Sequence, residues 1–262
     1  FGASDLANSV FRRPGEDTFR DGWDAGAELE DTVSGAEYAS LARCTQYAHF
    51  TPEFIVRAIW AGLQRLGWRG GRVLEPGIGT GLFPALLPEE LRDDVHVTGI
   101  ELDPVTARIA RLLQPGAKIL NANFARTELP AHFDLAIGNP PFGKLNGSAR
   151  APRYSGSDFE LKVIDVAGLL ADQGTFIVPQ NSAPFRFSGR DGYERVESDR
   201  LAKFYDETGI VLQPNCGIDT TVSGPFRGTN IRTEIVVTDF RSPEPSYIPR
   251  GAKHFAEPML AF

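Results

Sequence analysis

From residue 71 onward, short apolar runs alternate with longer stretches whose apolar residues recur every three to four positions. The short runs predict strands at 72–76, 96–102, 117–124, 133–140, 174–180, 209–214 and 233–240, and the periodic stretches predict helices at 80–87, 104–113, 158–171 and 191–207. Upstream, EFIVRAIWAGLQRLG follows Pro52 and places Ile55, Ile59, Leu63 and Leu66 on one helical stripe, with Gly67 to end it. Residues 32–43 read as a short helix. Residues 1–31 are rich in Gly, Asp and Glu with little periodicity and read as an irregular lead-in. The tail, 241–262, carries Pro243, Pro245, Pro249 and Pro258 and reads as an extended segment or linker. Apolar strands spaced by helices indicate an α/β fold: a doubly wound, seven-stranded, mostly parallel sheet. In such a sheet ligands bind beyond the C-terminal strand ends, where the strand order reverses.

Composition narrows the classes. A chain of 262 residues suits one large domain with extensions, and its start at Phe1 suggests a piece of something longer. No run of about 18 apolar residues is present, so no membrane helix is expected. Cys44 and Cys216 lack CxxC or zinc spacing and read as reduced thiols of a cytoplasmic protein, with no metal site. Neither sits in a motif suited to a cysteine nucleophile. The net charge of −7 argues against nucleic acid until its distribution is seen. Residues 1–40 hold three arginines and nine acids, so the rest of the chain is close to neutral. A local basic groove remains compatible with that balance.

Three segments carry chemistry. Glu75-Pro76-Gly77-Ile78-Gly79-Thr80-Gly81 joins an expected strand to an expected helix. Its glycines permit a tight turn and close approach to a ligand. The acid at the strand end would repel a pyrophosphate, so a dinucleotide is disfavoured and a cationic, amino-acid-bearing cofactor is favoured. Gly99-Ile-Glu101-Leu102-Asp103-Pro104 ends the next strand. Glu101 there suits ribose hydroxyls, Leu102 an adenine face, and Asp103-Pro104 a helix start. Asn139-Pro140-Pro141-Phe142 closes the strand FDLAIG. Two prolines stiffen the turn. The Asn139 side chain and Pro140 carbonyl offer convergent acceptors for an amino group, and Phe142 a flat face for a planar substrate.

In this order the three motifs resemble those of S-adenosylmethionine-dependent amino-methyltransferases. AHFTPEFIV, at 48–56, is similar to the cofactor motif that precedes them in gamma-class N6-adenine DNA methyltransferases. The stretch from about Thr45 to Gly143 also resembles the methyltransferase part of large phage, plasmid and bacterial helicase–methyltransferase proteins. The resemblance implies a Rossmann-like class I methyltransferase fold and S-adenosyl-L-methionine as cofactor, with S-adenosyl-L-homocysteine as product. It assigns Glu75, Gly77 and Gly79 to the methionine part, Glu101 to ribose and Leu102 to the adenine, with Pro76, Gly81 and Phe124 also in the cofactor site. His49, Phe50 and Thr51 would close over the methionine end. Asn139, Pro140, Pro141 and Phe142 would bind the target base, with Phe226 as a second stacking ring. The third-strand segment reads Asn121-Ala-Asn123-Phe124 where the family usually has Asp. Asn123 retains a carbonyl acceptor for the cofactor's adenine amino group.

The implied reaction is direct methyl transfer to adenine N6 in DNA after base flipping. Lys144, Arg150 and Arg153, in an acid-free loop after the catalytic turn, would grip the phosphate backbone, and Arg186, Arg190 and Arg195 would extend that surface. The expected organisation is an acidic extension at 1–44, a catalytic domain at 45–241 and a tail at 242–262. No separate target-recognition domain is visible, which points to a fused or separate helicase or recognition partner. Localisation would be cytoplasmic, in a bacterium or from a phage or plasmid, in restriction-modification or a related role. The alternatives are an RNA amino-methyltransferase acting on adenine N6 or guanine N2, a glutamine methyltransferase, and a non-catalytic DNA-binding module.

Overall fold

The computed structural model describes residues 10–11, 24–47, 51–129, 132–143, 151–213, 217–222 and 231–242. Its centre is a six-stranded sheet of order β3-β2-β1-β4-β5-β8. These strands are β1 (Gly71–Pro76), β2 (Val95–Glu101), β3 (Lys118–Asn121), β4 (Phe133–Gly138), β5 (Ala171–Pro179) and β8 (Thr233–Asp239). All neighbours run parallel except β5 and β8, which pair antiparallel from Gln173↔Asp239 to Pro179↔Thr233. A separate two-stranded hairpin pairs β6 (Phe185–Arg186) with β7 (Glu194–Arg195).

Alternation along each strand sends side chains to two faces. Val73, Val97, Leu135, Ile137, Ile177 and Ile235 meet helices on one face. Leu74, Ile100, Ala136, Phe176, Val178 and Val236 meet helices on the other. On the first face lie α3 (Glu53–Arg65), α4 (Leu82–Ala85) and α5 (Pro104–Leu113). Helix α3 buries Ile55, Val56, Ile59, Trp60 and Leu63, each worth roughly 1.5–3 kcal/mol for an aliphatic side chain. Trp60 also donates its indole N–H to the Phe83 carbonyl at 3.1 Å, tying α3 to α4. On the second face lie α6 (Phe159–Ala167) and α7 (Asp199–Thr208), packed through Leu161, Ile164 and Phe204.

Among the described residues the sheet has six strands where seven were expected. Segment 209–213 buries Ile210 and Leu212 but makes only a single antiparallel bridge, Gln213↔Val237. Its apolar pattern reflects packing, not a ladder. Leu66 is not part of the α3 stripe: it caps the helix and is exposed, while Gly67, at φ 92°, ends it. The expected helix at 191–207 is β7 followed by α7, which Ser198 caps through the Leu201 N–H at 3.3 Å.

Part of the lead-in is helical. α1 (Asp24–Thr32) precedes α2 (Gly35–Tyr47), and the expected boundary at residue 44 falls within α2. Ser40, buried on α2, donates its hydroxyl to Asp103 at the N-terminus of α5, and Glu37 faces Arg108 at 3.9 Å. The Phe11 ring lies 5.4 Å from Tyr38. Among the described residues no helix is long and apolar enough to cross a membrane.

Candidate active site

The strand order reverses beside β1: the chain runs outward to β2 and β3 on one side, then crosses to β4 and β5. A crevice outside the carboxyl ends of β1 and β4 follows from this connectivity. The registers Glu75↔Gly99 and Glu101↔Asn121 align the ends of the first three strands, and Asn139 directly follows β4.

The glycine loop after β1 is held by its backbone. Gly77 and Ile78 donate to the Ile100 carbonyl at 2.8 and 3.0 Å. Gly77, Gly79 and Gly81 have φ of 70°, 58° and 88°, a region that side chains disfavour. A Cβ on Gly77 or Gly79 would meet nothing within 4 Å, so the loop fronts open space. At Gly99 a Cβ would overlap the Ile78 side chain, so this glycine admits the loop against β2.

Two carboxylates border that space. Glu101 accepts from the Gly79 N–H at 3.0 Å and the Asp103 N–H at 2.8 Å, linking the glycine loop to the second motif. Asp103 caps α5 through the Val105 and Thr106 amides at 3.1 and 2.9 Å. Glu75 is 3% exposed, and its Oε2 has no hydrogen-bond partner among the described residues. Burial pushes the Glu75 carboxyl well above its ordinary range, and the nearby Glu101 pushes it further. Burial likewise raises Glu101, against its backbone hydrogen bonds. A buried acid with an orphaned oxygen, beside a second acid and an open glycine loop, is chemically incomplete. A cation bearing N–H donors satisfies both the charge and the oxygen.

Leu102 is 67% exposed beside this region. Asn121, which sequence reasoning passed over, donates to the Glu101 and Leu102 carbonyls at 2.9 and 3.0 Å and fixes the loop bearing them. Asn123 engages its side-chain oxygen locally, accepting from the Ala125 N–H at 3.0 Å. Phe124 packs half-buried against the second core cluster.

At the tip of β4, Asn139 donates through Nδ2 to the Thr51 hydroxyl at 3.0 Å. The segments expected to bind methyl donor and acceptor thus meet 88 positions apart. With the nitrogen on Thr51, the oxygen is the acceptor end of the amide. Pro140 is buried, and Phe142 is half-buried against the first cluster. His49, Phe50, Lys144, Arg150 and Phe226 lie outside the described residues.

Arg153 is a correction. Its Nε meets the Asp165 carboxylate at 2.6 Å, Nη1 the Thr208 carbonyl at 3.1 Å and Nη2 the Asp165 carbonyl at 3.1 Å. Asp165 is fully buried and also accepts from the Arg153 and Tyr154 amides, each at 2.8 Å. The guanidinium pins this loop to α6, so it is engaged within the chain and is not the free cation the loop's composition suggested. The three arginines expected to extend that surface share two glutamates. Arg190 and Arg186 meet Glu194 at 2.8 and 4.0 Å, and Arg195 meets Glu197 at 4.0 Å.

Sequence reasoning also missed two buried acids. Glu234 of β8 accepts from Gln180 Nε2 at 2.6 Å, the Phe187 N–H at 2.8 Å and the Ser188 hydroxyl at 2.9 Å, gathering the loops beyond β5. Glu160 of α6 accepts from the Gly143 N–H, and burial raises its carboxyl above the ordinary range. Only partner geometry reveals either, since an acid within a helix or strand reads as a solvated position.

Two solved structures share this architecture. One is described as a class I S-adenosylmethionine-dependent methyltransferase of Listeria monocytogenes, with TM-score 0.52 and 16% identity over 82% of this chain and 72% of that one. The fold is that of class I S-adenosylmethionine-dependent methyltransferases. The other is a modification subunit of a type I restriction enzyme from Vibrio vulnificus, with TM-score 0.51 and 16% identity over 80% of this chain and 51% of that one.

Two of the sequence relatives are methyltransferases by name. A type II methyltransferase of Thermus thermophilus is 36% identical over 84 residues, 32% of this chain and 19% of its own. A tRNA1(Val) (adenine(37)-N6)-methyltransferase of Mannheimia succiniciproducens is 33% identical over 97 residues, 34% of this chain and 38% of its own. The defense against restriction protein B of Escherichia phage P1 is 29% identical over 126 residues, 45% of this chain and 5% of its own. The chain therefore spans well under half the length of each. No family model matches. These relatives and the fold imply S-adenosyl-L-methionine as cofactor, and Glu75 with its orphaned oxygen fits the cofactor's ammonium group.

Proposed function

We propose that this chain transfers a methyl group from S-adenosyl-L-methionine to the N6 amino group of adenine in DNA. The observation that carries the reading is the Asn139–Thr51 contact at the switch point, beside an acid suited to an ammonium group. When bound, the cofactor supplies an electrophilic methyl group. Glu75 would hold its ammonium group, Glu101 its ribose and Leu102 its adenine. Thr51 would orient Asn139 so that the amide oxygen and the Pro140 carbonyl accept from the target amino group. Those acceptors draw the nitrogen lone pair out of conjugation with the ring, and orientation supplies much of the rate. Phe142 would stack on the extruded base, offsetting roughly 1–3 kcal/mol of the unstacking cost.

DNA is favoured by the type II methyltransferase and phage antirestriction relatives and by the restriction-subunit neighbour. The second reading, an RNA adenine-N6 methyltransferase, is favoured by the tRNA methyltransferase relative. A fused or separate recognition or helicase partner belongs to the DNA reading.

The test is transfer of labelled methyl groups to unmethylated DNA and, in parallel, to unmodified tRNA, with nucleoside identification. N6-methyladenine in DNA supports the proposal. Label only in tRNA replaces it with the second reading. Asn139→Ala should abolish transfer with cofactor affinity unchanged; normal turnover in that variant would remove Asn139 from the reaction.

A further inference from the structure

The catalytic turn leaves β4 at Asn139 and ends at Gly143, whose φ is 80°. Two hydrogen bonds clasp that end. The Gly143 N–H donates to Glu160 Oε2 at 2.8 Å, and the Gly143 carbonyl accepts from the Phe159 N–H at 2.8 Å. Glu160 is 1% exposed in the first turn of α6. Its other oxygen accepts from the Ser182 hydroxyl at 2.7 Å, just past the tip of β5. Ser182 in turn accepts from Arg200 Nη1 at 3.3 Å. Arg200 Nε lies 3.5 Å from Asp158, which also accepts from the Tyr154 hydroxyl at 3.0 Å. One buried carboxylate thus ties the exit of the β4 turn to the tip of the neighbouring strand.

This arrangement costs more than packing requires. A buried carboxylate is expensive even when hydrogen-bonded. The same helix fills its core positions with Leu161, Val163 and Ile164, and an apolar residue at 160 would bury as readily. What an apolar residue does not supply is an acceptor for the amide that follows Phe142. Gly143 sits one residue from the ring expected to stack on the target base and four from Asn139.

We propose that Glu160 is a positioning residue for methyl transfer. It holds Gly143, and through it Phe142 and the Asn139–Pro140 acceptor pair, in the geometry that receives the target amino group. This rests on the amino-methyltransferase reading above. Displacing an acceptor pair by about 1 Å costs on the order of 10²-fold in rate, whereas the cofactor carboxylates sit on β1 and β2, away from the clasp.

The test uses the full chain and the variants E160A, E160Q and S182A. Three quantities are read: cofactor dissociation constant, single-turnover methyl transfer to DNA and tRNA, and amide hydrogen exchange across 139–143. E160A should keep the wild-type cofactor affinity, lose on the order of 10²-fold in transfer rate, and exchange faster at 139–143 with the sheet unchanged. E160Q retains an acceptor for Gly143 and a group that can pair with the Ser182 hydroxyl, so it should recover most of the rate. S182A removes one anchor and should give a smaller loss in the same direction; it carries the test if E160A does not fold. Wild-type rate and exchange in E160A, or parallel loss of cofactor affinity and transfer, would overturn the proposal. So would E160Q as impaired as E160A. A wild type inactive on both nucleic acids would sink the functional reading, while exchange at 139–143 would still decide the clasp.

Discussion

Replacing Glu75 by Gln separates stability from cofactor binding. Glu75 is 3% exposed, its Oε2 is unpartnered among the described residues, and burial raises its carboxyl well above the ordinary 4.5. A folded-state acid with a raised pKa binds protons that the unfolded chain has released. The cofactor-free protein therefore loses stability as pH rises from about the unfolded glutamate value through the native one. Glu75→Gln removes that penalty while keeping the shape, so the cofactor-free variant should melt higher than wild type at neutral pH and depend less on pH. Cofactor binding moves oppositely. A hydrogen bond between a charged donor and a charged acceptor is worth about 1.5–3 kcal/mol, so its loss should weaken S-adenosylmethionine binding about 10- to 150-fold. Wild-type affinity should also rise with pH as Glu75 ionises, and the variant's should not. Thermal unfolding without ligand and calorimetric titration between pH 5 and 8 read both effects. Undiminished affinity in Glu75→Gln would refute the ammonium assignment, and a lower melting temperature without ligand would refute the buried-charge argument.

Arg153→Ala breaks a pair whose acid is fully buried; urea unfolding should show a loss of about 3 kcal/mol, and the salt dependence of nucleic-acid affinity should stay as in wild type. Ser40→Ala removes the hydroxyl that docks α2 on Asp103. It should cost about 1–3 kcal/mol in the same assay, whereas an unchanged midpoint would mean α2 is not held there. Leu102→Ala trims a 67% exposed side chain, so stability should hold while cofactor affinity drops about three- to tenfold, an effect of roughly 1 kcal/mol of lost apolar contact visible by titration.

Much of the architecture was legible along the chain. The glycine loop, the Asp103-Pro104 helix start and the strand preceding Asn139 depend on residues within a few positions of one another, and their backbone forms as read. The segment at 209–213 was misjudged because apolar content marks burial, while a strand also needs a partner ladder, and only Gln213 finds one. The lead-in helix Asp24–Thr32 was missed because its buried side is narrow and its many acids hide the period.

Arg153 shows the same limit at the level of chemistry. In an acid-free loop it reads as a free cation, yet its acid, Asp165, lies twelve positions on, across the loop and into a helix. Nothing along the chain singles out Glu160 and Glu234, because their donors, at Gly143, Ser182 and Ser188, come from other elements. The period of each element and the motifs at the strand ends are readable along the chain, because neighbouring residues set backbone conformation and local polarity. Only the folded chain shows that Thr51 meets Asn139, that a Glu75 oxygen has no partner among the described residues and that Glu160 clasps Gly143. Hydrogen-bond satisfaction and desolvation belong to the three-dimensional surroundings of an atom, and no run of adjacent residues specifies them.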